Sequence, residues 1–186
     1  MKRVFDLVLA LVLLLILIIP MLIIAIAIKL SSPGPVIFWT DRVGVNNTIF
    51  KMAKFRTMKL STPQVATHLM NNPKAYSTPI GAFLRKYSLD EIPQLINILK
   101  GDMSFIGPRP ALFNQDDLVA MRTKKNIHTL LPGITGWAQV NGRDNLTIRE
   151  KVDFDEHYFL HRSFALDIYI LFLTVPKVIR KEGVQH

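Results

Sequence analysis

From Leu7 to Ile28 the chain carries no charged residue. This run limits the fold more than any other feature of the sequence. At about 1.5 Å per residue, a helix of that length just covers a hydrocarbon core of about 30 Å. Pro20 interrupts it. A proline inside a helix removes one backbone hydrogen bond and clashes with the preceding turn, so a kink is expected there. Leu7–Ile19 alone would reach only about 20 Å, too short to cross. Lys2 and Arg3 flank one end and Lys29 the other, so local charge gives no inside–outside asymmetry. A kinked span and a hairpin-like helix that enters and leaves on one face both meet these constraints. A cleaved signal peptide, with Ala25-Ile26-Ala27 as the cleavage site, is a third reading. The run is longer than the usual apolar h-region of about 7–15 residues.

Residues 31–186 are long enough to bury one core, giving an expected division into an anchor (1–30) and a single compact domain (31–186). Ser31-Ser32-Pro33-Gly34-Pro35 reads as a rigid linker that ends the first helix. Val36–Trp39 and Thr48–Met58 read as two strands, joined by turn residues from Gly44 to Asn47 into a hairpin. The rest is mainly helical: a short helix over Ile80–Tyr87, a polar helix within 115–130 and a helix over Thr147–Leu160. Ile92, Leu95, Ile96 and Leu99 follow a helical i, i+3, i+4, i+7 spacing, with Gly101 as the C-cap. Residues 132–142 read as a glycine-rich loop. Leu166–Val175 is apolar but too short to span, which suits an interfacial helix or a core helix equally. The expected class is therefore α+β, mostly helical with a small β-hairpin.

There is no cysteine, which excludes a disulfide framework, a thiolate metal site and a cysteine nucleophile. The net charge is +9. A basic surplus beside an apolar anchor suits anionic headgroups or phosphorylated substrates. No nucleic-acid fold signature accompanies it, so no nucleic-acid partner is expected. The five histidines show no metal-ligand spacing, and Asp116-Asp117 reads as a solvated helix start.

Asp90-Glu91 is the candidate chemical centre, in the run Ser88-Leu89-Asp90-Glu91-Ile92-Pro93-Gln94-Leu95. Two adjacent carboxylates at a helix start, with arginines at 85 and 109, suit phosphate and metal chemistry. One carboxylate can attack phosphorus while the other holds Mg²⁺, which prefers carboxylate and phosphate oxygens. A structural reading competes: Ser88-x-x-Glu91 matches a capping box, which alone would explain the acids. In Gly107-Pro108-Arg109-Pro110 the prolines stiffen the backbone around a guanidinium that suits an anion site. Lys54, Arg56, Arg85 and Arg143 are further candidate phosphate-binding residues. Each is equally readable as a solvated charge or a carboxylate partner.

Those motifs resemble the bacterial sugar transferases, the monotopic phosphoglycosyl transferases. The resemblance rests on Ser88–Leu99 with Lys100-Gly101-Asp102-Met103-Ser104, on Gly107–Pro110, and on Pro132-Gly133-Ile134-Thr135-Gly136-Trp137-Ala138-Gln139-Val140-Asn141-Gly142-Arg143. Lys2–Leu7 and Lys54-Phe55-Arg56-Thr57-Met58 fit as well, so the likeness covers essentially the whole chain. It resembles the small members that consist of the catalytic domain alone. The resemblance implies transfer of a phospho-sugar from a UDP-sugar to polyprenyl phosphate, expected to be undecaprenyl phosphate, as a first membrane step of glycoconjugate assembly. It implies Asp90 as nucleophile, Glu91 as its partner near Mg²⁺, and Lys54, Arg85, Arg109 and Arg143 around the phosphates or nucleotide-sugar. It also implies a re-entrant helix bent at Pro20 in the phospholipid bilayer of the bacterial inner membrane, both termini cytoplasmic. A homodimer is a further expectation, since some family members dimerise. Family members often carry Ser-Pro at the bend; here it is Ile19-Pro20. Two alternatives stay open at this point: single-step transfer without an adduct, and a non-catalytic membrane-associated protein that binds anions during assembly.

Overall fold

A computed structural model describes residues 1–62, 73–142 and 145–180. The apolar run belongs to helix α1 (Lys2–Ser31), 30 residues that stay helical through Pro20. Among the described residues it is the one helix long and apolar enough to cross a membrane. Much of its apolar surface, including Leu15, Ile16, Ile19 and Ile23, is exposed. One stripe of it packs, mostly half-buried, against the rest of the chain. Leu9, Ala10, Leu13, Leu14 and Leu17 join the main core around Leu95, Ile98, Met103 and Ile106. Beyond Pro20, Met21, Ile24, Ala25 and Ile28 pack with Phe55 and Leu84.

After the linker, β1 (Ile37–Val43) and β2 (Ile49–Phe55) pair antiparallel, Ile37 opposite Phe55 and Val43 opposite Ile49. The expected hairpin is present, with a longer first strand and a shorter second strand than the sequence reading gives. Asn46 and Asn47 adopt the left-handed backbone of its turn, where asparagine costs less than most residues. The expected helix over Ile80–Tyr87 is α2 (Gly81–Lys86).

The next segment differs from expectation. Leu89–Gln94 forms a 3₁₀ helix, and α3 (Leu95–Lys100) begins only after it. Ser88 has φ 55° and its side chain makes no cap bond. An N-cap needs extended backbone to place its oxygen over the first N–H groups, so the Ser88–Glu91 capping box does not form. Gly101 ends α3 in the left-handed conformation, as expected.

β3 (Ser104–Ile106) follows, then α4 (Asp116–Lys124), which Asp116-Asp117 open. The segment read as a loop contains β4 (Gly133–Thr135), parallel to β3, and α5 (Trp137–Val140). Its glycines have a packing reason. A Cβ on Gly136 would collide with the carbonyl oxygen of Gly107, and one on Gly107 with that of Leu131. Glycine content here marks close backbone approach, not irregularity. α6 (Ile148–His161) is the helix that has a true capping box, between Thr147 and Glu150. α7 (Phe164–Arg180) buries Asp167 and Ile170 and exposes Ile168, Tyr169, Phe172 and Val175. Over the described residues the architecture is a mostly helical α+β fold with two small sheets and an N-terminal apolar helix.

Candidate active site

Three separate elements deliver the charges of the site. β2 supplies Lys54, the 3₁₀ turn supplies Asp90 and Glu91, and the stretch after β3 supplies Arg109. Asn97 locks the first two together. It is fully buried; its side-chain oxygen accepts from Ala53 N–H at 2.9 Å, and its amide donates to Lys51 C=O at 2.7 Å. The amide also donates to Asp102 Oδ2 at 3.1 Å. A side chain on α3 thus bonds to β2 as a neighbouring strand would, and holds the dyad turn against Lys54.

Both carboxylates are nearly buried, Asp90 at 7% and Glu91 at 8% exposure. Lys54 Nζ donates to Glu91 Oε1 at 2.8 Å and lies 3.5 Å from Asp90 Oδ2. Arg109 Nη2 donates to the same Glu91 oxygen at 2.7 Å. Glu91 is therefore the hub that gathers the cations, and Asp90 lies at its edge. Burial pushes the Asp90 carboxyl above the usual aspartate range. Lys54 opposes this most strongly; Glu91 adds to it, while Arg109 and Arg85 oppose it.

A cavity of about 370 Å³ opens beside the dyad. Glu91 and Arg109 line it, together with Leu13 and Leu17 of α1, Ile134, Val140 of α5, and Lys177 and Val178 of α7. Its wall is mainly apolar, and one side is the membrane-type helix itself. Gln139 also lines it, and both polar atoms of its side chain are buried without a protein partner.

The structure thus gathers Asp90, Glu91, Lys54, Arg85 and Arg109. Arg56 is bonded elsewhere, away from the dyad. Its guanidinium donates to Ser32 C=O at 2.7 Å, Pro33 C=O at 2.6 Å and Ser32 Oγ at 2.9 Å. It fastens the linker after α1, a structural role that the charge alone does not reveal. Arg143 lies outside the described residues. Pro20 is exposed within α1 and takes no part in the site.

Sequence reasoning missed Arg42 and Arg122. Arg42, on β1, feels both Arg109 and Glu91; burial first and Arg109 second lower its pKa to about 10. Arg122, on α4, is buried in an ion pair with Asp155 of α6 at 2.6 Å. Neither stands in a motif read as chemical, and no spacing rule ties position 122 to 155.

Two carboxylates could hold a divalent cation. Among the described residues no cluster of three or more His, Cys, Asp or Glu could do so. That donor set fits Mg²⁺, which binds through one or two carboxylates plus substrate phosphates and water.

The sequence profile of the bacterial sugar transferase family matches residues 1–181. The chain is 40% identical to the uncharacterised sugar transferase EpsL of Bacillus subtilis (strain 168), over 100% of this chain and 91% of that protein. It is 44% identical, over 95% of its own length, to the UDP-glucose:undecaprenyl-phosphate glucose-1-phosphate transferase of Escherichia coli (strain K12). The match covers 40% of that longer protein. It is 36% identical to the UDP-N-acetylgalactosamine-undecaprenyl-phosphate N-acetylgalactosaminephosphotransferase of Aeromonas hydrophila, across 98% of this chain and 44% of the relative. With a match from end to end and a charged centre at the motifs that first suggested it, this chain belongs to the bacterial sugar transferase family.

Proposed function

We propose that this protein transfers a sugar phosphate from a UDP-sugar to undecaprenyl phosphate, releasing UMP and forming a polyprenyl-diphosphate sugar. The observation that carries this reading is the buried Asp90–Glu91 pair, with Lys54 and Arg109 on Glu91 and Lys54 3.5 Å from Asp90, beside an apolar cavity walled by α1. An anionic nucleophile can approach a diphosphate only where cations offset the repulsion. The apolar wall suits an acceptor whose reactive phosphate carries a long hydrocarbon chain. The names of the relatives support the same reaction class with different sugars.

In the first step an Asp90 oxygen forms a bond to the sugar-bearing phosphorus. The bond from that phosphorus to the UMP oxygen breaks, and UMP carries away the electron pair. In the second step an oxygen of the lipid phosphate attacks the same phosphorus, and the acyl-phosphate bond to Asp90 breaks. Lys54 and Arg109 hold Glu91 and present positive charge to the phosphates throughout. Desolvation keeps the Asp90 carboxylate reactive, because water does not mask its lone pairs. A bound Mg²⁺, held by the dyad carboxylates, would neutralise charge on the diphosphate.

α1 would serve as a re-entrant anchor in the inner membrane, both termini cytoplasmic, so the site meets the headgroup layer where the acceptor phosphate resides.

The test uses the full chain in detergent with Mg²⁺ and a panel of UDP-glucose, UDP-galactose, UDP-N-acetylglucosamine and UDP-N-acetylgalactosamine. Without acceptor, one donor is expected to release about one UMP per enzyme and leave a phospho-sugar mass on the peptide containing Asp90. Adding undecaprenyl phosphate then restores turnover. Product formation only when both substrates are present, with no adduct, would instead support direct single-step transfer. No turnover on any donor would point to the non-catalytic alternative.

A further inference from the structure

Arg109 stands between two prolines, neither of which can donate a backbone hydrogen bond. A segment with so few backbone donors relies largely on its carbonyls. In this structure four consecutive carbonyls are held. Pro108 C=O accepts from Gly133 N–H at 2.9 Å and Ala111 C=O from Val43 N–H at 3.0 Å. Between them, Arg109 C=O accepts from Arg122 Nη1 at 2.8 Å, and Pro110 C=O from Arg42 Nη1 at 3.2 Å. Arg122 is itself fixed: its Nε and Nη2 donate to one Asp155 oxygen at 3.0 and 2.6 Å. Asp155 is buried, with 1% exposure.

We propose that Arg42 and the Arg122–Asp155 pair are positioning residues that fix the Arg109–Pro110 backbone and so aim the Arg109 guanidinium at Glu91. The proposal rests on the functional reading above and extends it to residues on β1, α4 and α6. Two guanidiniums on adjacent carbonyls do what backbone donors would do in an ordinary turn. They bond with charged donors, which are stronger than neutral ones. Asp155 removes the freedom of Arg122 to swing toward solvent. Exact placement matters, because a shift of about 1 Å in a binding group can cost about 10²-fold in rate.

The test is a double-mutant cycle on the full chain, reading UMP release from whichever of the four UDP-sugars the wild type turns over fastest. Asp155→Asn and Arg42→Lys are each made alone and with Arg109→Ala. Each single variant is expected to lower kcat/KM by about 10- to 100-fold. In the Arg109→Ala background each is expected to add less than about threefold, because the residue that it positions is gone. Asp155→Glu, which restores the carboxylate, is expected to recover most of the loss. Fully multiplicative losses would overturn the proposal, since a merely structural role would act equally in both backgrounds. If Asp155→Asn fails to fold, the Arg42→Lys cycle decides by itself, since that variant keeps the charge. Wild-type rates in both single variants would overturn the proposal and leave the parent reading intact. No UMP release by wild type on any donor would overturn both.

Discussion

Asp90 sits between two opposed forces. Burial favours its neutral form, while Lys54, Arg109 and Arg85 favour the carboxylate. Burial prevails, so the folded protein binds this proton more tightly than the unfolded chain does. The linked contribution to stability is then fully present below the ordinary aspartate pKa of about 3.9 and is lost as pH rises through the folded value. Asp90→Asn mimics the protonated state without the charge. It is expected to raise the thermal midpoint at pH 7 while abolishing UMP release. A lowered midpoint, by calorimetry on wild type and variant, would show that the cation pairing outweighs desolvation. The acid limb of kcat/KM should lie above the ordinary aspartate range for the same reason. At this scale the dyad and Arg109 were legible because adjacent acids and a proline-flanked arginine are local patterns. Arg56 misled because an arginine in a basic strand looks the same whether it meets phosphate or backbone carbonyls. Arg42 and Arg122 were invisible because their partners, Pro110, Arg109 and Asp155, are remote in sequence.

Elements become a site here through side chains that replace missing secondary structure. Asn97 joins α3 to the β2 edge of the hairpin, which among the described residues is a two-stranded sheet. Asn97→Ala would leave the Ala53 N–H and the Lys51 C=O unpaired, each at about 1–3 kcal/mol. For a chain of this size, that corresponds to a fall of about 4 to 24 °C in thermal midpoint. The Lys54–Glu91 contact should loosen with it, so UMP release should fall at temperatures where the variant is still folded. An unchanged midpoint by calorimetry would show that water takes over both bonds. The longer helices, the hairpin and Gly101 were legible because period and cap chemistry are encoded within a few residues, whereas the four-residue α5 was read as loop. The dyad turn was not, because Ser88-x-x-Glu91 and Thr147-x-x-Glu150 are the same pattern. Only the second has an extended N-cap; Ser88 is left-handed because α2 ends immediately before it. β3 and β4 escaped notice because two three-residue strands, 26 residues apart between Ile106 and Gly133, carry no periodic signal.

At the scale of the molecule, α1 is fastened to one body at both ends. Near its start, Arg3 donates to the carbonyls of Ile98 and Leu99, Asp6 accepts from Ser104 Oγ at 2.8 Å and from Phe105 N–H, and Lys2 pairs with Asp167 at 2.8 Å. Just past its end, Arg56 holds the carbonyls of Ser32 and Pro33. A straight helix of 30 residues measures about 45 Å, more than the hydrocarbon thickness. If it crossed a bilayer, its two ends would lie in different aqueous compartments. The Arg3 and Arg56 contacts could not then both form with one folded domain. The contacts suit the proposed re-entrant anchor, which would turn the exposed face of Leu15, Ile16, Ile19 and Ile23 toward lipid. The exposed Tyr169, Phe172 and Val175 of α7 suit contact with the same headgroup region. Because the chain has no native cysteine, single cysteines placed before Lys2 and after His186 can be probed in intact cells. Both are expected to resist a membrane-impermeant maleimide until the inner membrane is permeabilised. Labelling of the N-terminal cysteine in intact cells, with the C-terminal one protected, would establish a crossing helix. The Arg3 and Asp6 contacts would then have to break in the membrane.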